Sequence, residues 1–136
     1  MKPKILLIED NEQTRYLATF LLEKQGYAVV SAADGPASIE LAKTVKPALI
    51  LLDIQLPLMD GYAAARELRS DPALRNIPII AVTSYAMVGD REKALAAGCN
   101  GYLEKPINPD TFVTEIERFL PPNQKGEQHD SSPDSR

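Results

Sequence analysis

Ala48-Leu49-Ile50-Leu51-Leu52-Asp53 is the stretch that decides the fold: an unbroken apolar run closed by a carboxylate. A strand covered on both faces reads this way, because helices flank a parallel sheet and leave neither face to water. Pro47 ends the segment before it, and Pro57 with Asp60-Gly61 marks a loop after it. This is the expected central strand, Ala48 to Leu52.

Outward from it, short apolar runs and longer amphipathic stretches alternate about five times. Lys4 to Ile8 is a first strand, followed by Glu9-Asp10-Asn11 and a helix with Leu17, Phe20 and Leu21 on one face and Gly26 as its stop. Tyr27 to Ser31 is a second strand. Gly35-Pro36 opens a helix whose inner face carries Ile39, Ala42 and Val45. Beyond the central strand, Gly61, Ala64, Ala65 and Leu68 fall on one helical face, and Asp71-Pro72 closes that helix. Ile77 to Val82 is a fourth strand running into Thr83-Ser84. The next helix turns the small residues Ala94, Ala97 and Gly98 inward. Gly101 to Leu103 is a short fifth strand ending at Glu104-Lys105-Pro106. A last helix presents Phe112, Val113, Ile116, Phe119 and Leu120, and Pro121-Pro122 stops it. From Asn123 on there is no apolar residue, so residues 122–136 are expected to be a disordered polar tail.

Such alternation implies an α/β fold: parallel strands, right-handed crossovers and helices on both faces, with the ligand site outside the carboxyl ends of the strands. The 136 residues suit one domain, and 44% hydrophobic with 25% charged residues is an ordinary globular composition. A net charge of −4 argues against binding driven by nucleic-acid phosphates. The single Cys99 cannot form an internal disulfide and fits a reducing cytosol; a cytoplasmic setting is expected. No run is long enough for a membrane span.

The polar residues gather where the strands end. Glu9 and Asp10 end the first, Asp53 the third, Thr83 and Ser84 the fourth, and Lys105 the fifth. A parallel sheet brings these ends to one edge. If the first and third strands are neighbours, three carboxylates crowd together, and each like-charged pair ~4 Å apart costs about 4 kcal/mol at an effective dielectric near 20. A cation or a bound proton must relieve that. Oxygen donors without His or Cys suit a hard ion, which makes Mg²⁺ the expected cofactor. Lys105 can serve as a point charge for a carboxylate or phosphate, and the Thr83 hydroxyl can donate to a phosphate oxygen. A carboxylate in that setting can attack phosphorus.

Four segments together resemble the receiver domain of two-component response regulators, of the stand-alone type. They are Ile8-Glu9-Asp10-Asn11, Leu51-Leu52-Asp53 through Asp60-Gly61, Ala81-Val82-Thr83-Ser84, and Tyr102-Leu103-Glu104-Lys105-Pro106. The resemblance implies a flavodoxin-like (βα)5 three-layer sandwich of strand order 2-1-3-4-5, an order for which a receiver is itself a standard example. It implies a receiver domain over residues 1–121. It makes Asp53 the phosphoacceptor and Lys105 and Thr83 its catalytic neighbours. Glu9, Asp10, Asp53 and the Gln55 backbone carbonyl become the Mg²⁺ ligands, Thr83 and Tyr102 the switch pair, and Lys105–Pro106 a cis peptide. The phosphoryl donor would be a sensor histidine kinase or histidine phosphotransfer protein. A downstream protein would bind the face of the fourth helix, fifth strand and fifth helix, where a homodimer could also form. Neither nucleic acid nor membrane is expected as a partner, and no output domain is expected. Gln55 and Tyr85, flanking the site, would tune water access to the phosphoryl group.

Plainer readings exist for each residue taken singly. Asp53 could cap a strand end, Glu9-Asp10 could be acids favoured by a helix dipole, and Tyr102 could be mere packing. An Asp-nucleophile Mg²⁺ phosphohydrolase would carry a second Asp two residues after its nucleophile on the first strand, which Glu9-Asp10-Asn11-Glu12 lacks. A nucleotide or flavin binder would need a glycine-rich phosphate loop, and neither G-x-G-x-x-G nor G-x-x-x-x-G-K-[ST] is present. A phosphorylation-independent docking module would have no need of the Asp53, Lys105 and Thr83 set.

Overall fold

The structure is a computed structural model that describes residues 3–84 and 88–120. Tyr85 and the expected tail, residues 122–136, lie outside the described residues. Among the described residues, five strands alternate with five helices: β1 Lys4–Ile8, α1 Glu12–Lys24, β2 Ala28–Ala32, α2 Gly35–Val45, β3 Leu49–Asp53, α3 Gly61–Ser70, β4 Ile79–Thr83, α4 Asp90–Ala96, β5 Gly101–Glu104 and α5 Phe112–Glu117. A 3-10 turn, Pro72–Leu74, links α3 to β4. The strands form one parallel sheet in the order β2-β1-β3-β4-β5.

The apolar runs behave as strands between two helical layers. Every residue of β3 and β4 is buried. Alternate strand residues face opposite layers. On one side Leu6, Ile50, Leu52 and Ala81 pack against Ala42 of α2, Ala64, Ala65 and Leu68 of α3, and Ala94 of α4. On the other, Ile5, Leu7, Leu51 and Ile80 pack against Ala18 and Leu22 of α1 and Phe112 and Ile116 of α5. Small residues on α3 and α4 let those helices lie close to the sheet.

Short polar residues start the helices. Asn11 accepts from the Thr14 amide (2.8 Å), Asp34 from Ala37 (2.8 Å) and Asp60 from Ala63 (2.9 Å), each worth about 1 kcal/mol. α4 and α5 differ: α4 follows Gly89 at φ 92° and α5 follows Thr111, and neither has a side-chain cap hydrogen bond.

Some expected boundaries move by a residue or two, for identifiable reasons. Tyr27 is not in β2, because its amide bonds to the Leu22 carbonyl (3.1 Å) and finishes the turn after α1. Ile77 is not in β4, because its amide closes the 3-10 turn on Leu74 (3.2 Å) and Pro78 has no amide to give the ladder. The inner face of α1 is also corrected. Phe20 is 52% exposed, with Lys24 Nζ 6.0 Å from its ring, whereas Leu21 packs against the core as expected, beside the buried Ala18 and Leu22. Gly98 is only half-buried.

Candidate functional site

β1 and β3 are neighbours, with Ile8 paired to Leu52, so the next residues of both strands emerge side by side. The Glu9 amide donates to the Ala32 carbonyl (3.0 Å) and carries β1 one residue further along β2. The chain then bends into α1. Asp53 ends β3, buried at 3% exposure, and its Oδ1 accepts the Gln55 amide at 2.9 Å. Carboxylate oxygens of Glu9, Asp10 and Asp53 lie within 4.8 Å of one another; Glu9 and Asp53 are buried and Asp10 is exposed.

Lys105 arrives from the far side of the sheet. Its amide bonds to the Thr83 carbonyl (2.8 Å), which sets the residue just beyond the β4–β5 ladder, and the Lys105–Pro106 peptide is cis. The ammonium stands 2.9 Å from Glu9 Oε1, 3.0 Å from Oε2 and 3.2 Å from Asp53 Oδ2. Burial by itself would lower the Lys105 pKa, but the Glu9 bond and the Asp53 charge outweigh it and raise it. Glu9 is raised as well, above an ordinary carboxyl. Burial lifts it from 4.5 to about 7; the Lys105 bond opposes the rise and Asp53 adds to it.

That lift carries a pH dependence. The folded protein holds a proton on Glu9 that the unfolded chain has already released, so the contribution is full below pH 4.5 and lost as pH rises through about 7. Metal-free protein should therefore lose stability across this window relative to Glu9→Gln, which has no such titration. Thermal unfolding of both at several pH values is the measurement, and parallel curves would contradict the assignment. The crowding also predicts that Asp10→Asn raises the unfolding temperature without metal, by about 2 °C, and that added Mg²⁺ reverses the order of the two proteins. A lower melting temperature for the metal-free variant would refute the repulsion.

The loop after β3 is held close beneath Asp53. The Gly61 amide donates to the Ile54 carbonyl (2.8 Å), and a Cβ there would clash with Ile54 Cα and stand 2.7 Å from the Asp53 carbonyl oxygen. Only hydrogen fits, and the obstruction is backbone. Gly61→Ala should cost about 3 kcal/mol, read as a lower urea midpoint, and should disturb the Asp53 amide signal. An unchanged midpoint would mean the loop yields freely.

Thr83 is buried at the end of β4, paired with Glu104. Tyr102 is paired with Ala81 on β5 and half-buried, and the Arg91 guanidinium of α4 lies 5.4 Å from its ring. Its hydroxyl is buried with no hydrogen-bond partner among the described residues. Burial, then Asp90, raises the Tyr102 pKa. Beside it, an open cleft of about 340 Å³ runs between β5, α4 and α5, with Arg91, Tyr102, Glu104, Asn108 and Glu115 in its walls.

Two contributors were not foreseen from sequence. Asn11 caps α1 and also donates its amide to Glu9 Oε2 (3.1 Å). Arg15 donates from Nη1 to the Glu9 carbonyl (2.8 Å). The available signal for Arg15 was a cation near a helix start, where the dipole disfavours one.

The family model for the response regulator receiver domain matches residues 5–117. This chain belongs to the response regulator receiver family. Among curated relatives, the receiver is 39% identical over 120 residues to the polar-differentiation response regulator DivK of Brucella anthropi, covering 88% of this chain and 98% of that one. It resembles the receiver domain of the sensor histidine kinase PA1611 from Pseudomonas aeruginosa at 39% identity and a TM-score of 0.81, over 88% of this chain and 98% of the other. That structure has a magnesium ion coordinated in its active-site cleft. It also resembles the Vibrio cholerae chemotaxis protein CheY4, at 28% identity and a TM-score of 0.84, over 88% of this chain and all of that one. The receiver is thus a two-component signalling domain of flavodoxin-like fold, and its acidic cluster suits a divalent metal. No helix among the described residues is long and apolar enough to cross a membrane.

Proposed function

We propose that this receiver takes a phosphoryl group from a phosphohistidine onto Asp53 and reports it through protein contacts. The observation that carries the reading is the cluster itself: a buried carboxylate bonded to Lys105, with two more acids in reach of one ion. An Asp53 oxygen attacks phosphorus in line. The new O–P bond forms as the P–N bond breaks, and the electron pair leaves with the donor imidazole, which picks up a proton. Lys105 balances charge on the transferring oxygens, and Thr83 donates to one of them. The donor set is all oxygen, which fits Mg²⁺. Glu9, Asp10, Asp53 and the Gln55 carbonyl would hold it, and it would supply further neutralisation of the phosphoryl charge.

The output follows from Thr83 and Tyr102. Among the described residues the buried Tyr102 hydroxyl has no partner, a situation that costs about 1–3 kcal/mol, so a shift of Thr83 toward the phosphoryl group can change the population of its position. The cleft beside it then changes shape, which suits a downstream protein in the cytoplasm. Beryllofluoride, a phosphoryl mimic, tests this. With Mg²⁺ it should bind and move the amide signals of Thr83 and Tyr102, and Asp53→Asn should not respond. Equal binding by Asp53→Asn would remove Asp53 as the acceptor.

A further inference from the structure

We infer that Arg15 is a positioning residue for the divalent cation, acting through the peptide plane that joins Glu9 to Asp10; the inference rests on the metal role proposed above. Glu9 is tied at every polar group. Its amide bonds to Ala32, its carboxylate to Lys105 and to the Asn11 amide, and its carbonyl to Arg15 Nη1 at 2.8 Å. Asp10 is placed differently. It is exposed, and no hydrogen bond or ion pair to its carboxylate occurs among the described residues, yet one of its oxygens lies within 4.8 Å of the Glu9 and Asp53 oxygens. Its aim must come from its backbone. The Glu9 carbonyl belongs to the same rigid plane as the Asp10 amide, so the guanidinium that holds this carbonyl fixes the plane from which Asp10 projects. Arg15 is half-buried near the start of α1, where the helix dipole works against a cation. An exposed, freely solvated side chain would avoid that cost; this one turns back six residues to make the bond.

Groups that orient metal-binding side chains change affinity by roughly 10–100-fold when removed. The test is Mg²⁺ titration by calorimetry on the full chain and on Arg15→Ala and Arg15→Met. Arg15→Met keeps the apolar stem and removes only the donors. Amide spectra and urea midpoints of the metal-free proteins accompany it. Both variants should bind Mg²⁺ about tenfold more weakly, move the Glu9 carbonyl and Asp10 amide resonances, and keep the parent's urea midpoint within error. Unchanged Mg²⁺ affinity in Arg15→Met overturns the inference. So does weakening that comes with a general loss of stability and shifts throughout β1 and β3, which marks a structural role. If the parent chain itself takes up no Mg²⁺, the metal reading fails first, and that result is told apart because it needs no variant.

Discussion

Asp53→Asn should reduce phosphoryl uptake from a phosphohistidine donor to background, a loss of roughly a thousandfold or more. The amide nitrogen and carbonyl oxygen that replace the carboxylate do not attack phosphorus under these conditions. The substitution is otherwise gentle. The side-chain carbonyl of the introduced asparagine can still accept the Gln55 amide now held by Asp53 Oδ1 at 2.9 Å, and one negative charge leaves a cluster that repels itself. The variant should therefore fold as well as the parent, and its metal-free form should unfold at the same or a higher temperature. A radiolabelled transfer assay beside a thermal melt separates the two effects. Retained uptake with an intact fold would show that another side chain takes the phosphoryl group.

The largest effect on stability is expected at Arg69→Ala, about 3–4 kcal/mol. Near the end of α3 this guanidinium acts as a hub. Nε donates to the Gly98 carbonyl (2.8 Å), and Nη1 to the carbonyls of Leu74 (3.2 Å), Arg75 (3.0 Å) and Ile77 (2.7 Å). Nη2 bonds to Asn100 Oδ1, which also accepts the Ile79 amide at 2.9 Å. One side chain thus ties α3, the 3-10 turn, the entry to β4 and the loop between α4 and β5. Truncation leaves these acceptors short of donors and opens a gap beside Gly98, whose Cα the Arg69 stem packs against closely. Arg69→Lys should recover only a minor part, because an ammonium cannot reproduce the planar fork. Urea unfolding of both variants is the check. A loss below about 1 kcal/mol for Arg69→Ala would mean that water replaces the hub at little cost.

The fold was legible because the strands are short, apolar and separated by breakers. Ile50, Leu51 and Leu52 are buried whichever way they point, so no choice of face had to be made. Helix faces were harder. On α1 Leu17, Phe20 and Leu21 suggested the inner stripe; Leu21 does pack against the core, but Phe20 is exposed and the fully buried positions are Ala18 and Leu22. Apolar periodicity sets the stripe only to within about one position, and packing against the sheet fixes the rest. Strand ends slipped for a related reason. A ladder stops where the neighbour's bonding stops, so β3 extends to Asp53 opposite Val82 and β4 to Thr83 opposite Glu104.

Within the site, Glu9, Asp10, Asp53 and Lys105 could be read from the strand ends, and the structure brings all four together. What could not be read was how they are held. Arg15 and Arg69 look like ordinary surface cations in the sequence. Their bonds go mainly to main-chain carbonyls, which every residue has, so no pairing of side-chain types announces them. That the Tyr102 hydroxyl has no partner among the described residues was equally invisible, because whether a strand tyrosine finds a partner depends on how the helices pack around it.

The most direct test is to map the phosphoryl group itself. The chain would be incubated with a phosphorylated histidine donor with and without Mg²⁺, and the modified peptide located by mass spectrometry. A label on Asp53 that requires Mg²⁺ and is released by hydroxylamine, as an acyl phosphate is, is the expected result. A label on any other residue, or one formed equally well without Mg²⁺, would contradict the account.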